Sequence, residues 1–246
     1  MVMPPPSIHP DWPAPPTVGA CVSTRVGGVS LPPYDSLNLG SHVGDDEAAV
    51  AENRARLRVV LPAEPVWLNQ VHGVAVADAD MATGVPTADA AVARQPGRVC
   101  AVLTADCLPV LFCDEGGTVV GAAHAGWRGL VEGVLEATVQ RMAVPTATVL
   151  AWLGPAIGPQ AFEVGEEVRA AFIAIDPAAA TAFVPGVRAG KWMADLFELA
   201  RQRLRRMGVV RIHGGGTCTH ADGARFYSYR RDGVTGRFAS LIWLAR

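Results

Sequence analysis

One stretch of the sequence decides the fold: VCAVLTADCLPVLFC (99–113), DEGG (114–117) and TVVGAAHAGWRG (118–129). Its apolar runs break at Thr104-Ala105-Asp106, which predicts a strand that ends at Leu103 and a second strand over Leu108–Cys113. The adjacent glycines 116 and 117 suit a tight turn, because glycine adopts positive φ at little cost. A third strand is therefore predicted over Thr118–Ala123, and the pair forms a β-hairpin.

Strands and helices alternate on both sides of this hairpin. An apolar face at helical spacing predicts a helix from about Gly129 to Met142. Further helices are predicted over 45–61, 164–175 and 193–207, and further strands over 18–24, 66–70, 88–93, 149–153, 209–212 and 240–244. The pattern predicts a mixed α/β fold, with two layers of sheet or one large sheet covered by helices.

The chain length of 246 residues fits one large domain or two tightly fused halves. Residues 1–16 are rich in proline and show no periodicity, so we expect an N-terminal arm without regular structure. Residues 17–246 are expected to form a single domain.

Composition argues against polyanionic and membrane partners. The formal net charge is −2, and the arginines at 201, 203, 205 and 206 follow a helical pattern that indicates a solvated helix face rather than a nucleic-acid groove. The first residues lack the features of a signal peptide, and no apolar run is typical of a membrane span. Five cysteines without a CxxC pair do not suggest a disulfide framework, so we expect a cytoplasmic location.

The hairpin brings two metal-ligand residue types together. If its loop is symmetric about Glu115 and Gly116, Cys107 faces His124 with Cβ atoms about 4.5–5.5 Å apart. That separation suits a thiolate and an imidazole that share one zinc ion at about 2.3 and 2.0 Å. Cys113 lies about 20 Å farther along the strand and cannot share the ion.

His72 is the third candidate, since it follows a predicted strand in NQVHG (69–73), where a loop can carry it towards the hairpin. Three protein ligands leave a fourth position for water or substrate, so zinc there would activate water or polarise a substrate atom. Each residue also has an ordinary interpretation: a polar loop residue for His72, a small core residue for Cys107, and a hydrogen-bonded strand-end histidine for His124. Asp106 either orients a ligand imidazole or caps the local turn.

The segment GWRG (126–129) joins a predicted strand to a helix. Its backbone N–H groups favour an anion, and Arg128 can add a bidentate contact to phosphate or carboxylate. The alternative is a tight turn with Arg128 in a structural ion pair. Cys218 and His220 could chelate a metal, but no third ligand pairs with them.

Several motifs resemble those of the YfiH-like family, also called the laccase-domain or multicopper polyphenol oxidase family. The resemblance runs in order from about Ser23 to the C-terminus and rests on SLNLG (36–40), HVGDD (42–46), NR (53–54), NQVHG (69–73), TADCLPV (104–110), AHAGWRG (123–129), LGPAIG (153–158) and FYSYRRD (226–232). Leu31-Pro32-Pro33 and the glycines 214–216 depart from the family pattern, which leaves loop shape and substrate preference open.

The resemblance implies an αββα-like fold and a catalytic zinc ion on His72, Cys107 and His124. It also implies phosphorolysis of the purine nucleosides adenosine, inosine and methylthioadenosine, with adenosine deamination, by a monomer. Arg54 would then reach substrate or phosphate near the metal. We expect Asn38 and Arg128 to take part in substrate binding too, and Glu163 is one candidate for the general acid.

Three other functions remain open from the sequence. Copper-dependent oxidation of polyphenols fits the older family label, but it needs several copper ions and many histidines, and the chain has six. The others are an editing hydrolase for cell-wall precursors and a non-catalytic module stabilised by its metal.

Overall fold

A computed structural model describes residues 5–245 of the chain. The strands are β1 Ser7–Ile8, β2 Val18–Ser23, β3 Pro65–Val66, β4 Val76–Asp78, β5 Ala90–Ala93, β6 Val99–Thr104, β7 Leu108–Asp114, β8 Val120–Ala125, β9 Val149–Leu153, β10 Glu163–Gly165, β11 Phe183–Pro185, β12 Lys191–Ala194, β13 Arg211–Gly214 and β14 Phe238–Leu244. The α-helices are α1 Glu47–Arg58, α2 Trp127–Glu132, α3 Val134–Met142, α4 Glu166–Ile175, α5 Leu196–Arg206 and α6 Tyr229–Asp232.

Two large mixed sheets form the centre of the molecule. The first has the strand order β1-β2-β14-β6-β3, and the second has the order β13-β9-β7-β8-β5-β4. Each sheet combines antiparallel pairs with parallel ones, such as β3 with β6 and β13 with β9. A small antiparallel sheet, β10-β12-β11, lies beside them.

The two large sheets pack face to face and carry helices on their outer faces. Val102 and Ile242 of the first sheet share a buried cluster with Leu111 and Ala122 of the second. On the other face of the second sheet, strand residues pack against helices α2 to α5 in a separate cluster. On the other face of the first sheet, strand residues pack against Leu57 of α1. This arrangement confirms the predicted αββα layers, because each sheet buries both of its faces.

The central hairpin has a different register from the predicted one. Pro109 of β7 pairs with His124 of β8, so Cys107 does not face His124 directly. The loop is longer than a two-residue turn because the carboxylate of Asp114 accepts the backbone N–H groups of Thr118 at 2.7 Å and Val119 at 2.9 Å. The register error is two residues, and side chains alternate with a period of two, so Cys107 and His124 still lie on the same face.

The prediction of one continuous helix from Gly129 to Met142 is wrong, because the segment forms two helices. Helix α2 ends at Gly133, which has φ = +105°, and α3 starts directly after it. Apolar periodicity continues through this point, which is why the sequence pattern suggested a single helix. The left-handed residue turns the chain without interrupting the buried face.

The other predicted elements are present, the strand over 149–153 with the same bounds and most of the rest with shifted ends. Helix α1 begins after Asp46, whose carboxylate accepts the N–H of Ala49. The N-terminal arm was predicted to lack regular structure, but Ser7–Ile8 pair with β2 and extend the first sheet. Residues 1–4 of the arm lie outside the described residues. None of the described helices combines the length and apolar character needed to cross a bilayer.

The substitution Gly133→Ala tests the break between α2 and α3. A Cβ atom at φ = +105° is strained, so we expect the free energy of unfolding to fall by about 1–2 kcal/mol in urea titrations. Gly133→Asn should lose less, because asparagine tolerates the left-handed region better than alanine. Equal stability of the alanine variant and the wild type would show that the chain can turn here without a left-handed residue.

Candidate metal centre and adjoining cavity

His72, Cys107 and His124 come together at the open end of the central hairpin. One ligand atom from each residue lies within 4.8 Å of the other two. The Sγ atom of Cys107 is 3.8 Å from Nε2 of His72, and the two imidazole rings meet edge to face at 4.7 Å. The group includes every metal ligand predicted from the sequence.

The dimensions of this group fit a tetrahedral ion. With a metal–sulfur distance of about 2.3 Å and metal–nitrogen distances of about 2.0–2.1 Å, tetrahedral angles place sulfur and nitrogen about 3.6 Å apart. The observed 3.8 Å between Cys107 and His72 differs by a few tenths of an ångström. The three ligand atoms lie within 4.8 Å of one another, so the group can bind a metal ion once the more distant atoms move about 1 Å closer, and its three donors leave a position open.

Asp89 holds both histidines, and it was not among the residues predicted for the site. Its Oδ1 lies 2.8 Å from Nδ1 of His124 and accepts the backbone N–H of His72 at 2.9 Å. Its Oδ2 accepts the backbone N–H groups of Val71 at 3.1 Å and Gly73 at 2.7 Å. Because Nδ1 of His124 is engaged with this carboxylate, Nε2 remains available for a metal. One buried carboxylate thus fixes the orientation of one ligand and the loop that carries another.

A signal for Asp89 was present in the sequence. It is a single carboxylate in the otherwise apolar run ADAAVA (88–93), and such a residue in a buried strand needs a partner. Burial raises the pKa of Asp89, but its hydrogen bonds with His124 and the backbone outweigh this effect and lower it. The carboxylate is therefore ionised at neutral pH.

Asp106 has a different role from either predicted one. Its side chain accepts the Thr219 hydroxyl at 2.6 Å and the backbone N–H of Arg230 at 2.6 Å. Its backbone carbonyl accepts the N–H of Ile157. Asp106 therefore ties three distant segments to the position before Cys107, and Asp89 is the residue that orients a ligand imidazole.

Charges at the centre favour the metal-binding form of the cysteine. Burial raises the pKa of the Cys107 thiol, but the charge of His124 and hydrogen bonds with both histidines outweigh it and lower the pKa to about 6. Burial lowers the pKa of His124, whereas the charge of Cys107 and the hydrogen bond with Asp89 raise it to about 9. The thiolate is the form of cysteine that binds metals.

Two glycines of the GWRG segment allow the ligands to approach. A Cβ atom on Gly126 would lie 2.9 Å from Cδ2 of His72 and 3.0 Å from Sγ of Cys107. A Cβ atom on Gly129 would lie 2.9 Å from the carbonyl oxygen of Gly73. The first turn of α2 therefore packs directly against the ligand group.

Backbone strain is concentrated at the same place. His72 has φ = +62° and Asp106 has φ = +97°, conformations that residues other than glycine rarely adopt. The carboxylate of Asp89 fixes the first position, and the contacts of Asp106 fix the second. Strain of this kind persists where surrounding contacts over-determine the backbone, and it is common at functional sites.

A cavity of about 390 Å³ adjoins the ligand group, within the size range of sites for small molecules. Gln70 fixes the backbone of Leu103 in one wall of the cavity. Its Nε2 donates to the carbonyl oxygen of Leu103 at 2.9 Å, and its Oε1 accepts the backbone N–H of Leu103 at 2.8 Å. Besides the three ligands, the lining consists of His42, Gln70, Leu103, Thr104, Ala105, Asp106, Ile157, Phe162, Tyr229, Arg230 and Arg237.

Asn38 and Arg54, two predicted substrate-binding residues, lie one layer behind this cavity. Asn38 is fully buried; its Oδ1 accepts the backbone N–H groups of Gly40 at 2.9 Å and Arg237 at 2.8 Å. Arg54 donates two hydrogen bonds to the carbonyl oxygen of Leu39 and stacks over Trp67. Both residues thus support the loop that leads to His42.

Arg128, the third predicted substrate-binding residue, is exposed, and its guanidinium stacks over Trp127 at 4.6 Å. It does not line the cavity, and it has no ion pair among residues 5–245. Glu163, the candidate general acid, forms an ion pair with Arg188 that lowers its pKa. A low pKa favours the carboxylate, which cannot donate a proton.

The second candidate metal pair, Cys218 and His220, makes no metal group in the described part of the chain. Sγ of Cys218 accepts the backbone N–H of Gly158 at 3.2 Å, and no cluster of three ligand-type side chains includes it. All five cysteines are free of disulfide bonds, in agreement with their spacing.

The four-layer fold defines a mixed α/β protein in which three ligand-type side chains that could hold a metal ion lie beside a cavity of small-molecule size. The chain belongs to the family described as multi-copper polyphenol oxidoreductase laccase, which matches residues 19–245.

Similar proteins carry more specific names. Purine nucleoside phosphorylase PA4543 of Pseudomonas aeruginosa is 61% identical over 237 residues, which cover 96% of this chain and 98% of that protein. Purine nucleoside phosphorylase YfiH of Escherichia coli is 58% identical over 243 residues, with the same shares of coverage. The crystal structure of Neisseria meningitidis protein NMB0706 matches with a TM-score of 0.93 at 52% identity and covers 98% of this chain and 99% of that chain.

The substitution Asp89→Asn tests the role of the shared carboxylate. We expect the affinity for zinc to fall by about 10- to 100-fold in competition titrations with a chromogenic chelator, because His124 and the His72 loop lose a charged acceptor. Asp114→Asn is a matched control, since Asp114 is also buried and accepts backbone N–H groups. The control should lose stability by about 1–3 kcal/mol but keep its zinc affinity. Equal zinc affinity of both variants would contradict the assignment.

The substitution Gly126→Ala tests the close approach of α2. Alanine can adopt the φ of −63° found here, but its methyl group would displace His72 or Cys107. We expect zinc affinity to fall by about tenfold or more, comparable to the loss of a supporting contact to a ligand. Gly73→Ala is the control, because a Cβ atom there meets its neighbours at an ordinary 3.7 Å. If the Gly126→Ala variant bound zinc as tightly as the wild type, the steric argument would be refuted.

Proposed function

We propose that the protein is a zinc-dependent purine nucleoside phosphorylase that also deaminates adenosine. Adenosine, inosine and methylthioadenosine are the proposed nucleosides, and the products of phosphorolysis are the free base and ribose 1-phosphate. The observation that carries this proposal is the ligand group His72, Cys107 and His124, which opens into a cavity of about 390 Å³. The names of similar proteins from Pseudomonas aeruginosa and Escherichia coli support the same reaction class.

The cavity offers surfaces that suit a nucleoside. Phe162 and Tyr229 are aromatic residues on which a purine base can stack, and Leu103 and Ile157 add apolar contacts. The peptide N–H and C=O groups of Leu103 are taken by Gln70, so this wall keeps its shape when a ligand enters. A site of this kind binds the nucleoside and excludes water from most of its surface.

The chain holds the reaction partners in place while bonds change. In phosphorolysis a phosphate oxygen bonds to C1′ as the C1′–N bond breaks, and the base leaves with the bonding electrons and takes up a proton. In deamination water adds at C6 of adenine and ammonia departs. Zinc on the ligand group would supply Lewis acidity or an activated water. Asp89 contacts Nδ1 of His124, so Nε2 is the atom that would bind the metal.

Donor chemistry supports zinc more than a set of copper ions. Three protein ligands with an open fourth position fit a catalytic zinc site. The same two imidazoles and thiolate occur in blue-copper sites, but those sites need a weak axial ligand and transfer electrons. Multi-copper oxidation needs several ions, and one group of three ligand-type residues is found within residues 5–245. The polyphenol oxidase therefore remains the weaker proposal, as do the cell-wall hydrolase and the non-catalytic module. A monomer in the cytoplasm is the proposed working form.

Activity assays with a matched cysteine pair test this function. The purified protein, with its metal content measured, is incubated with each nucleoside with and without phosphate, and products are separated by chromatography. We expect free base and ribose 1-phosphate only with phosphate, and inosine and ammonia from adenosine without it. Cys107→Ala should reduce both activities by about a hundredfold or more, since several kcal/mol of charge stabilisation depend on the metal. Cys113→Ala, in β7 and outside the ligand group, should retain them.

Other outcomes point to other functions. Inosine as the sole product would leave only the deaminase. No turnover of any nucleoside, together with a loss of stability on zinc removal, would replace the proposal with the non-catalytic module. Oxidation of a phenol by copper-loaded protein, lost in Cys107→Ala, would favour the oxidase.

A further inference from the structure

A cationic corner of the cavity, formed by Arg237, His42 and Thr104, lies beside the metal position. All three residues line the same cavity as the ligand group. Thr104 ends β6 and pairs across the sheet with Phe238, the residue that follows Arg237. The charge of Cys107 acts on Arg237, and that of His124 acts on His42, so the corner is within electrostatic range of two ligands.

Arg237 has hydrogen-bond donors that the protein does not use. Its Nη1 donates to the carbonyl oxygens of Thr235 and Gly236, both at 3.0 Å. Its Nε and Nη2 have no partner among residues 5–245, and no carboxylate from that range forms an ion pair with it. Burial lowers the pKa of this guanidinium. The charges of Cys107 and Asp106 act on the guanidinium from nearby, but no residue in the described range forms an ion pair with it. An anion in the cavity would therefore offset part of the cost of burying this cation.

The backbone and stem of Arg237 are held in position. The backbone N–H donates to Oδ1 of Asn38 at 2.8 Å. The stem packs on Gly40, where a Cβ atom would lie 2.9 Å from Cγ of the arginine. Little conformational freedom is then lost when the guanidinium binds an anion, and its planar fork matches the oxygens of phosphate.

His42 and Thr104 add neutral donors to this charge. Burial lowers the pKa of His42, and the charges of Arg237 and Arg54 lower it further, so the imidazole stays neutral. Thr104 is 1% exposed, and its hydroxyl has no hydrogen-bond partner within the described chain. Asp106 is the carboxylate in the lining, but Thr219 and Arg230 already donate to its two oxygens.

We propose that Arg237, His42 and Thr104 form the subsite that binds inorganic phosphate, with Arg237 as the charged anchor. This inference rests on the proposed phosphorolysis and locates its second substrate. The corner offers positive charge and donors, and phosphate is a compact group with acceptor oxygens on every side. The proposed phosphate subsite therefore lies at Arg237 and not at Arg54 or Arg128. The guanidinium of Arg54 already donates to Leu39 and stacks over Trp67, and Arg128 is exposed outside the cavity.

Binding of inorganic phosphate to the metal-containing protein tests the inference without turnover. Titrations by isothermal calorimetry at constant ionic strength compare the wild type with Arg237→Gln, Arg237→Lys and Thr104→Val. We expect the Kd for phosphate to rise by about 10- to 100-fold in Arg237→Gln, because a charged hydrogen-bonding group is lost. The rise should be smaller in Arg237→Lys and about threefold in Thr104→Val, which removes a neutral donor. Thr104→Val should keep its melting temperature, since the hydroxyl has no partner to lose.

Two further variants and a kinetic readout complete the test. Arg205→Gln, on the exposed face of α5, is the control for net charge and should bind phosphate like the wild type. Where turnover is present, Arg237→Lys should raise KM for phosphate far more than KM for the nucleoside. Phosphate affinity that depends on Arg237 without any phosphorolysis would sustain the anion site and remove only the proposed reaction. Wild-type affinity in Arg237→Gln, loss of affinity in Arg128→Gln instead, or no binding by the wild type would overturn the inference.

Discussion

The carboxylate of Asp89 is the interaction on which the candidate centre depends. It contacts Nδ1 of His124 on one strand and three backbone N–H groups of the loop that carries His72. A fully buried carboxylate is costly unless its oxygens are used, and here both are used. The same contacts that stabilise Asp89 therefore set the distance between the two imidazoles. A substitution of Asp89 would therefore change both the positions of the two imidazoles and the stability of the loop that carries His72.

Most of the residues predicted for the site fall into two groups, one that lines the cavity and one that lies behind its wall. His72, Cys107 and His124 point into it, whereas Asn38 and Arg54 support the loop that ends at His42. Polar motifs of this chain thus include residues that shape a site without lining it. Asn38 holds the backbone of Gly40 and Arg237, and Arg54 holds the carbonyl oxygen of Leu39.

The mixed α/β class and the closeness of Cys107 to His124 could be predicted from local apolar patterns, whereas the αββα layering and the role of His72 rested on the family resemblance. Strands 99–104 and 108–114 are buried throughout, as their continuous apolar runs predict. The side-chain period of two kept Cys107 and His124 on one face despite the wrong register. The register itself could not be predicted, since it depends on the Asp114 carboxylate accepting N–H groups across the loop. The helix break at Gly133 was hidden by an uninterrupted apolar face.

The residues that form the cavity wall could not be predicted from the sequence, because they come from distant parts of the chain. Arg237 and His42 lie far apart in the sequence. The pairing of β14 between β2 and β6, together with the hydrogen bonds of Arg237 to Asn38 and Leu39, brings them together. Asp106 likewise acts through partners far away in sequence, Thr219 and Arg230. Local patterns carry no information about such pairs. A lone carboxylate in an apolar strand was the one sign of Asp89.

The central position of β14 has a consequence for how the molecule becomes functional. This strand is contributed by residues 238–244, yet it occupies the middle of the first sheet and follows directly on Arg237. A nascent chain that has emerged only as far as β13 already contains all three metal ligands but lacks the strand that joins β2 to β6. The first sheet, and with it the cavity wall that contains Arg237, is therefore completed only after β14 has been synthesised and has paired between β2 and β6.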